Sequence, residues 1–364
     1  MSGRGSDADG LGGRRRSVFA GLASAILTLF GIAVLIGAAG LWAYAAPGPK
    51  TADRSGRTVV LRKGAGLPEI GATLQTGHVV ASAPLFMAIA QVTGSARRLK
   101  PGEYLFDSGA SLASVLKKIR SGDIVHHRVT VPEGRTSQQV AAILNANPVL
   151  VGDVATPPEG ALLPETYDVV RGEQRSAVMQ RMMDARDTLL AQLWSKRRDG
   201  LPYRSPEEAV TLASIVEKET RLPVERPRVA AVYLNRLRIG MKLDADPTLI
   251  YGISHGEPLG RGLKMSELLA DVPYNTYVRV GLPPTPIGNP GRASLAAVMD
   301  PPDTTELYFV ANGGGGHAFA STLEQQAANV AKWRALEKTR AAAKAAQAQA
   351  AAEATPAPAP LEHR

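Results

Sequence analysis

A mixed α+β fold behind a single membrane-spanning helix is what this sequence predicts. Three observations carry that expectation. One uncharged stretch long enough for a membrane helix lies near the N-terminus; short strand and helix patterns alternate after it; longer helical patterns, separated by Pro- and Gly-rich loops, follow. A length of 364 residues allows about two domains, and a hydrophobic fraction of 45% supplies their cores. There are no cysteines, which excludes a disulfide framework, a thiol nucleophile and a cysteine-ligated metal. The net charge of +9 points to an anionic partner, either nucleic acid or an anionic membrane or wall polymer. Only 5% of residues are aromatic and no basic run alternates with stacking residues, so no nucleic-acid partner is expected.

Residues 18–46 carry no charge, with an apolar centre from Ala25 to Gly37. About 20 residues cross a hydrocarbon core of roughly 30 Å, so the segment is long enough to be a transmembrane helix. Trp42 and Tyr44 sit at its far end, where aromatic rings favour the interface. A cleaved signal peptide is the competing reading, since Ala43-Tyr44-Ala45 has a small-x-small form, but a signal's apolar region is shorter. Arg14, Arg15 and Arg16 precede the segment. They place residues 1–17 in the cytoplasm and everything past about residue 47 outside, a single-pass protein of the cytoplasmic membrane.

Residues 47–57 read as a Pro/Gly-rich linker. Over 58–125, Thr58–Leu61 reads as a strand, 66–74 and 84–90 as short helices, and 99–106 as a turn into a strand. Leu112, Val115, Leu116 and Ile119 stand at helical spacing in a last helix. This small α+β unit resembles the LysM-like subdomain of murein-binding proteins; glycan binding and a plain spacer role both fit it. His126 and His127 start a strand into the second domain, 126–335, and point to opposite faces, so one metal ion is not expected to take both. Past residue 325 a charged, Ala-rich helix is expected, with 336–364 as a disordered Ala/Pro-rich tail.

The chemistry concentrates in Glu207–Thr220. Pro206 and two acids make a good helix start, and Ala209, Leu212, Ala213, Ile215 and Val216 form one apolar face. At about 100° per residue, Glu219 falls on the edge of that face and Glu217 turns towards solvent. An acid in an apolar setting has its pKa raised, as a general acid near neutral pH requires. The competing reading is a solvated Glu-Lys-Glu helix end. Downstream, Asn235-Arg236-Leu237, Asp246-Pro247-Thr248 with Tyr251, Tyr274-Asn275-Thr276-Tyr277 and the Pro-rich 281–291 loop offer neutral donors and acceptors suited to a sugar-binding cleft, or ordinary turn chemistry. A glycine-rich loop, Gly313–Gly316, lacks the Gly-Lys-Ser/Thr ending of a phosphate loop; its His317 lines the cleft or is structural.

Together these blocks resemble the MltG-type (YceG-like) endolytic murein transglycosylases over nearly the whole exported chain. Ala213–Thr220, Asn235-Arg236-Leu237, Asp246-Pro247-Thr248, Tyr274–Tyr277, Gly281–Pro284 and Gly316-His317 carry the resemblance. It implies a lyase that cuts the β-1,4 bond between N-acetylmuramic acid and N-acetylglucosamine of peptidoglycan and leaves a 1,6-anhydro end. The family's catalytic glutamate falls on Glu219, acting as acid and then as base, with no metal or cofactor required. The candidate substrate-binding set is Glu217, Asn235, Asp246, Thr248, Tyr251, Asn275, Thr276, Tyr277, Pro284 and His317. A role in ending new glycan strands near the membrane, beside the cell-wall synthases, is implied by the resemblance alone. One departure is visible: where the family often reads Phe-Pro-Asp-Thr-Tyr, this chain has Leu162-Leu163-Pro164-Glu165-Thr166-Tyr167, so the apolar lip of the cleft is expected to differ here and the role of Glu165 stays open. A hydrolytic muramidase using Asp246 or Glu217 as second carboxylate, and a non-catalytic murein-binding protein, stay open.

Overall fold

The computed structural model describes residues 10–50 and 56–353. The chain divides into two compact units, the first ending at His127 and the second starting at Arg128.

In the first unit, α1 (Gly10–Ala45) contains the single helix among the described residues that is long and apolar enough to cross a membrane, Ser24–Ala45. The helix starts at Gly10 rather than at residue 18, so the arginines expected to precede it lie inside its first turns. Residues 1–9 of the predicted tail and 51–55 of the linker lie outside the described residues. Strands β1 (Arg57–Leu61) and β2 (Gly102–Phe106) pair antiparallel, Val59 opposite Tyr104. Between them in sequence come α2 (Leu67–Thr76) and α3 (Ala83–Val92), and α4 (Leu112–Ser121) follows. Ser82 and Ser111 cap α3 and α4 through their side chains. Val59, Leu74, Phe86, Tyr104, Val115 and Ile119 are among the residues that close the core.

The second unit is mostly helical, with two short strand pairs. Strand β3 (His127–Thr130) pairs with β4 (Thr166–Val169), and α5 (Ser137–Ala146) lies between them in sequence, started by a capping box from Thr136 and Gln139. Then come α6 (Arg175–Ser195), α7 (Pro206–Glu219), α8 (Arg226–Arg238), α9 (Asp246–Ser254), the single turn α10 (Met265–Leu268) and α11 (Arg292–Met299). The chain closes with the hairpin β5 (Tyr308–Ala311) and β6 (His317–Ala320) and with α12 (Leu323–Glu353). Helix α7 is the hub: Ala209 to Val216 are all buried, against α8 and α11 in particular.

Helix α12 corrects one boundary. It continues through the Ala/Gln repeats to Glu353, past the residue-336 start expected for a disordered tail, and Arg340 reaches back to the carbonyl of Gly313. Alanine has the strongest helix propensity of any residue, so low complexity there does not prevent helix formation. The last part of that tail, 354–364, lies outside the described residues.

Candidate active site

Helix α7 begins where Ser205 accepts the amide of Glu208 (3.2 Å), with Pro206 in the first turn and two acids facing the positive end of the helix dipole. It ends at Glu219, because Thr220 is already extended. Glu219 keeps some exposure as a residue, yet its Oε2 is fully shielded and has no hydrogen-bond partner. Burial pushes its pKa up to about 7; the negative charge of Asp246 works in the same direction, while the Tyr233 hydroxyl and the Arg236 guanidinium oppose it. A carboxyl group in this setting is protonated below neutral pH and can give up its proton close to it.

Elements α8 and α9 supply the surroundings. Tyr233, on the face of α8 packed against α7, is fully buried and stands edge-on to Phe309 with ring centroids 5.7 Å apart. Asp246 opens α9 at the exposed rim, and the Tyr277 hydroxyl donates to its Oδ1. Arg236 is buried and ties loops together, donating to the carbonyls of Leu307 (2.6 Å) and Leu243 (2.7 Å). Among the described residues no group of three or more His, Asp or Glu side chains is placed to hold a metal ion.

Glu217 differs most from expectation. Rather than facing solvent, its side chain is only 5% exposed. Its Oε1 accepts from Arg226 (2.8 Å), and its Oε2 accepts from the Gly291 amide (2.9 Å) and the Ser294 hydroxyl (2.8 Å). The solvent assignment followed from counting one apolar stripe, but α7 is covered on more than one side by the 286–291 loop and α11. A side chain at Gly291 would push aside the half-exposed Glu133 carboxylate, which also pairs with Arg226. Glu217 is therefore a clip between helix end and loop, with both carboxylate oxygens engaged in bonds to the protein itself.

Several other candidates also hold the frame rather than face a ligand. Asn275 is fully buried, its amide donating to the carbonyls of Glu267, Leu268 and Ala270 while its oxygen accepts the Tyr277 amide (3.0 Å). Thr248 and Thr276 are buried and bond each other (2.9 Å). Asn235 donates to the carbonyls of Thr304 and Glu306. His317 pairs with Glu225 through Nδ1 (2.8 Å), the structural alternative of the two. Polar residues in a dense loop look alike in sequence whether they bind a ligand or their own backbone. Replacing Asn275 by Ala should lower unfolding stability by about 2–4 kcal/mol, since three carbonyls and one amide lose a buried partner. Denaturant titration reads this.

Tyr251 is half-buried, edge-on to Tyr274 at 5.2 Å, and its hydroxyl donates to Glu159 (3.2 Å). Pro284 is exposed and lines a depression of about 470 Å³ with Glu159, Glu207 and Thr211. That depression borders the first turns of α7, its lining residues Glu207 and Thr211 standing about 18 and about 12 Å along the helix axis from Glu219. Glu165 forms a surface pair with Arg292 (3.1 Å), and Leu162 and Leu163 are core residues rather than a cleft lip. Sequence reasoning missed Tyr233, Arg226 and Glu159. Tyr233 and Arg236, three residues apart in the apolar run of α8, were the available signal.

A helical domain with one shielded carboxyl group ending its central helix defines a class of proteins equipped to hold and release a single proton. The chain belongs to the YceG-like family, whose model matches residues 59–332. A protein of Bacillus subtilis (strain 168) named endolytic murein transglycosylase is 27% identical over 309 residues, covering 75% of this chain and 84% of that protein. A Streptococcus pneumoniae protein of the same name (serotype 2, strain D39) is 26% identical over 324 residues, and the match spans 58% of its length. A crystal structure of a yceG-like protein from Listeria monocytogenes is 27% identical, covers 75% of this chain and 98% of that one, and has a TM-score of 0.47.

Proposed function

We propose that the protein is an endolytic murein transglycosylase, a peptidoglycan-cleaving lyase, with Glu219 as its one catalytic acid and base. The observation that carries the reading is the shielded, unpartnered Oε2 of Glu219, with a pKa of about 7. Family membership and the names of the relatives support the substrate class.

In the reaction, the protonated carboxyl group gives its proton to the glycosidic oxygen between N-acetylmuramic acid and N-acetylglucosamine as that bond breaks. The C6 hydroxyl of the muramic residue attacks the anomeric carbon, and the Glu219 carboxylate takes its proton. The acid is restored, water is not consumed, and the product ends in a 1,6-anhydro ring. A hydrolase needs a second carboxyl group to activate water or attack the sugar. Glu217 is ill placed for that duty with both oxygens engaged, which leaves Asp246 as the hydrolytic alternative.

On this reading α1 holds the protein in the cytoplasmic membrane, with the N-terminus inside and both folded units outside. The β1–α2–α3–β2 unit is LysM-like, and work on nascent strands sets the protein beside the cell-wall synthases. Mass spectrometry of products from purified glycan strands and the full-length protein tests the chemistry. The expected fragments are one water lighter than hydrolysis products. Reducing ends would identify a muramidase, and strands bound but left intact would identify a binding protein.

A further inference from the structure

Lys218 stands between the two glutamates that end α7, and the proton transfers at Glu219 make no use of it. Its Cε lies against the backbone of Gly134 and Gly288, 3.7 and 3.5 Å from where a Cβ on each would stand. Those two backbones are bonded into one floor: the Gly134 amide donates to the Asn289 carbonyl (2.9 Å), and the Asn289 amide donates to the Arg135 carbonyl (2.9 Å). The Asn289 side chain secures that same carbonyl at 3.0 Å. Arg135 is thereby held beside Lys218, near enough for its charge to act on the lysine.

Both residues are exposed, and among the described residues neither side chain makes a hydrogen bond or an ion pair. The carboxylates around them are already taken. Glu217 is bonded to Arg226, Gly291 and Ser294, and Glu133 to Arg226. Glu159 accepts from the Ser137 amide (2.7 Å), the Tyr251 hydroxyl (3.2 Å) and the Asn289 side chain. Part of Lys218 is nonetheless desolvated, and that burial, then the Arg135 charge, draws its pKa below the ordinary value against the pull of Glu159 and Glu217. Two like charges fixed side by side disfavour each other, and an anion bound between them relieves that repulsion. The pair also stands near the acid. Asp246, whose charge acts on Glu219, opens α9, and Tyr251, the partner of Glu159, follows five residues later, about 8 Å along the axis. In the reaction set out above, the muramic residue brings its C1 and its C6 hydroxyl to Glu219. The lactyl ether on C3 of that same sugar carries a short peptide with free carboxylates, so negative groups of the substrate have to lie beside the acid.

We propose that Lys218 and Arg135 form a subsite for a carboxylate of the peptide carried by the muramic residue, so that the site favours strands whose peptides are in place and charged. The assignment to that peptide rests on Glu219 being the group that meets the glycosidic bond. It gives the site a second point of recognition, ionic where the sugar contacts are neutral, which fixes the register of the strand against the acid.

Fluorescently labelled, uncrosslinked strands are titrated with the full-length protein carrying Glu219→Gln, which leaves them intact, and binding is read by anisotropy in detergent. The strands are used as isolated, or after carbodiimide and ammonium chloride have turned their carboxylates into neutral amides. Amidation should weaken binding about 5- to 10-fold. Adding Lys218→Gln and Arg135→Gln together should weaken binding to untreated strands by the same factor and leave binding to amidated strands unchanged. Equal affinity of the unsubstituted site for both kinds of strand overturns the proposal. So does an equal loss on both kinds in the double variant, which means that the two residues do not read the carboxylate. Strands stripped by an amidase keep only the lactyl carboxylate; if they bind as tightly as peptide-bearing strands, the recognised anion is on the sugar and the peptide assignment falls. The denaturation midpoint of the double variant should not drop, since neither side chain has a partner to lose, and a drop makes the pair structural and overturns the proposal too. Absence of cleavage by the unsubstituted protein, with these affinity ratios intact, removes the lyase reading and leaves the carboxylate subsite standing.

Discussion

Glu219→Gln should abolish release of anhydro-ended fragments, by about 10²–10⁴-fold, while leaving the circular dichroism of the chain unchanged. Gln keeps the size and neutrality of the protonated acid but can neither give nor take the proton. The wild-type pH profile should fall as pH rises through about 7, because the first step needs the protonated carboxyl group. The same substitution should stabilise the fold at alkaline pH. An unfolded glutamate loses its proton near 4.5, whereas Glu219 holds it to about 7. Between those values the native state binds more protons than the unfolded state, so wild-type stability declines as pH rises from 4.5 to 7 and then levels off. The decline amounts to about 3 kcal/mol, and a neutral Gln avoids it. Denaturant curves for the two proteins should therefore agree near pH 4 and separate, with the variant more stable, by pH 8. Equal activity would remove Glu219 from the mechanism; equal stability across the range would remove its shielding.

How much of this could be read without coordinates depends on what a local pattern can encode. The start of α7 followed from Pro206 and the two acids after it, and the buried face of α4 from its apolar spacing, because both signals lie within a few residues of the element they define. The position of Glu219 at the margin of a buried face was legible for the same reason. Glu217 was not. Its three partners come from α8, from the loop residue Gly291 and from the first turn of α11, the last two 74 and 77 residues further on, and helical counting cannot see what covers a second side. The partners of the threonine and asparagine residues of the loops were no more legible: Asn275 bonds backbone within eight residues, and nothing in its sequence neighbourhood distinguishes that from a residue awaiting a sugar. Helix α12 shows the reverse error, where composition suggested disorder and alanine's helical preference prevailed.

Glu217→Ala should lower unfolding stability by about 3–5 kcal/mol, the range for breaking a buried ion pair from one side. Arg226 is 7% exposed and its Nε has no partner, so removing the acid leaves its guanidinium to the half-exposed Glu133 alone, 3.0 Å away. The Gly291 amide and the Ser294 hydroxyl lose their acceptor as well. Glu217→Gln separates this clip from a catalytic duty. It can still accept from Gly291 or Ser294 but no longer neutralises Arg226, so it should be destabilised by less than the Ala variant while retaining its rate within about 10-fold at a temperature where it is folded. A carboxylate serving as hydrolytic partner would instead lose about 10²–10⁴-fold in rate on amidation with little change in stability. Measuring denaturation midpoint and fragment release on the same preparation decides between the two. Loss of rate without loss of stability would return Glu217 to the reaction, and the single-acid mechanism would fail there.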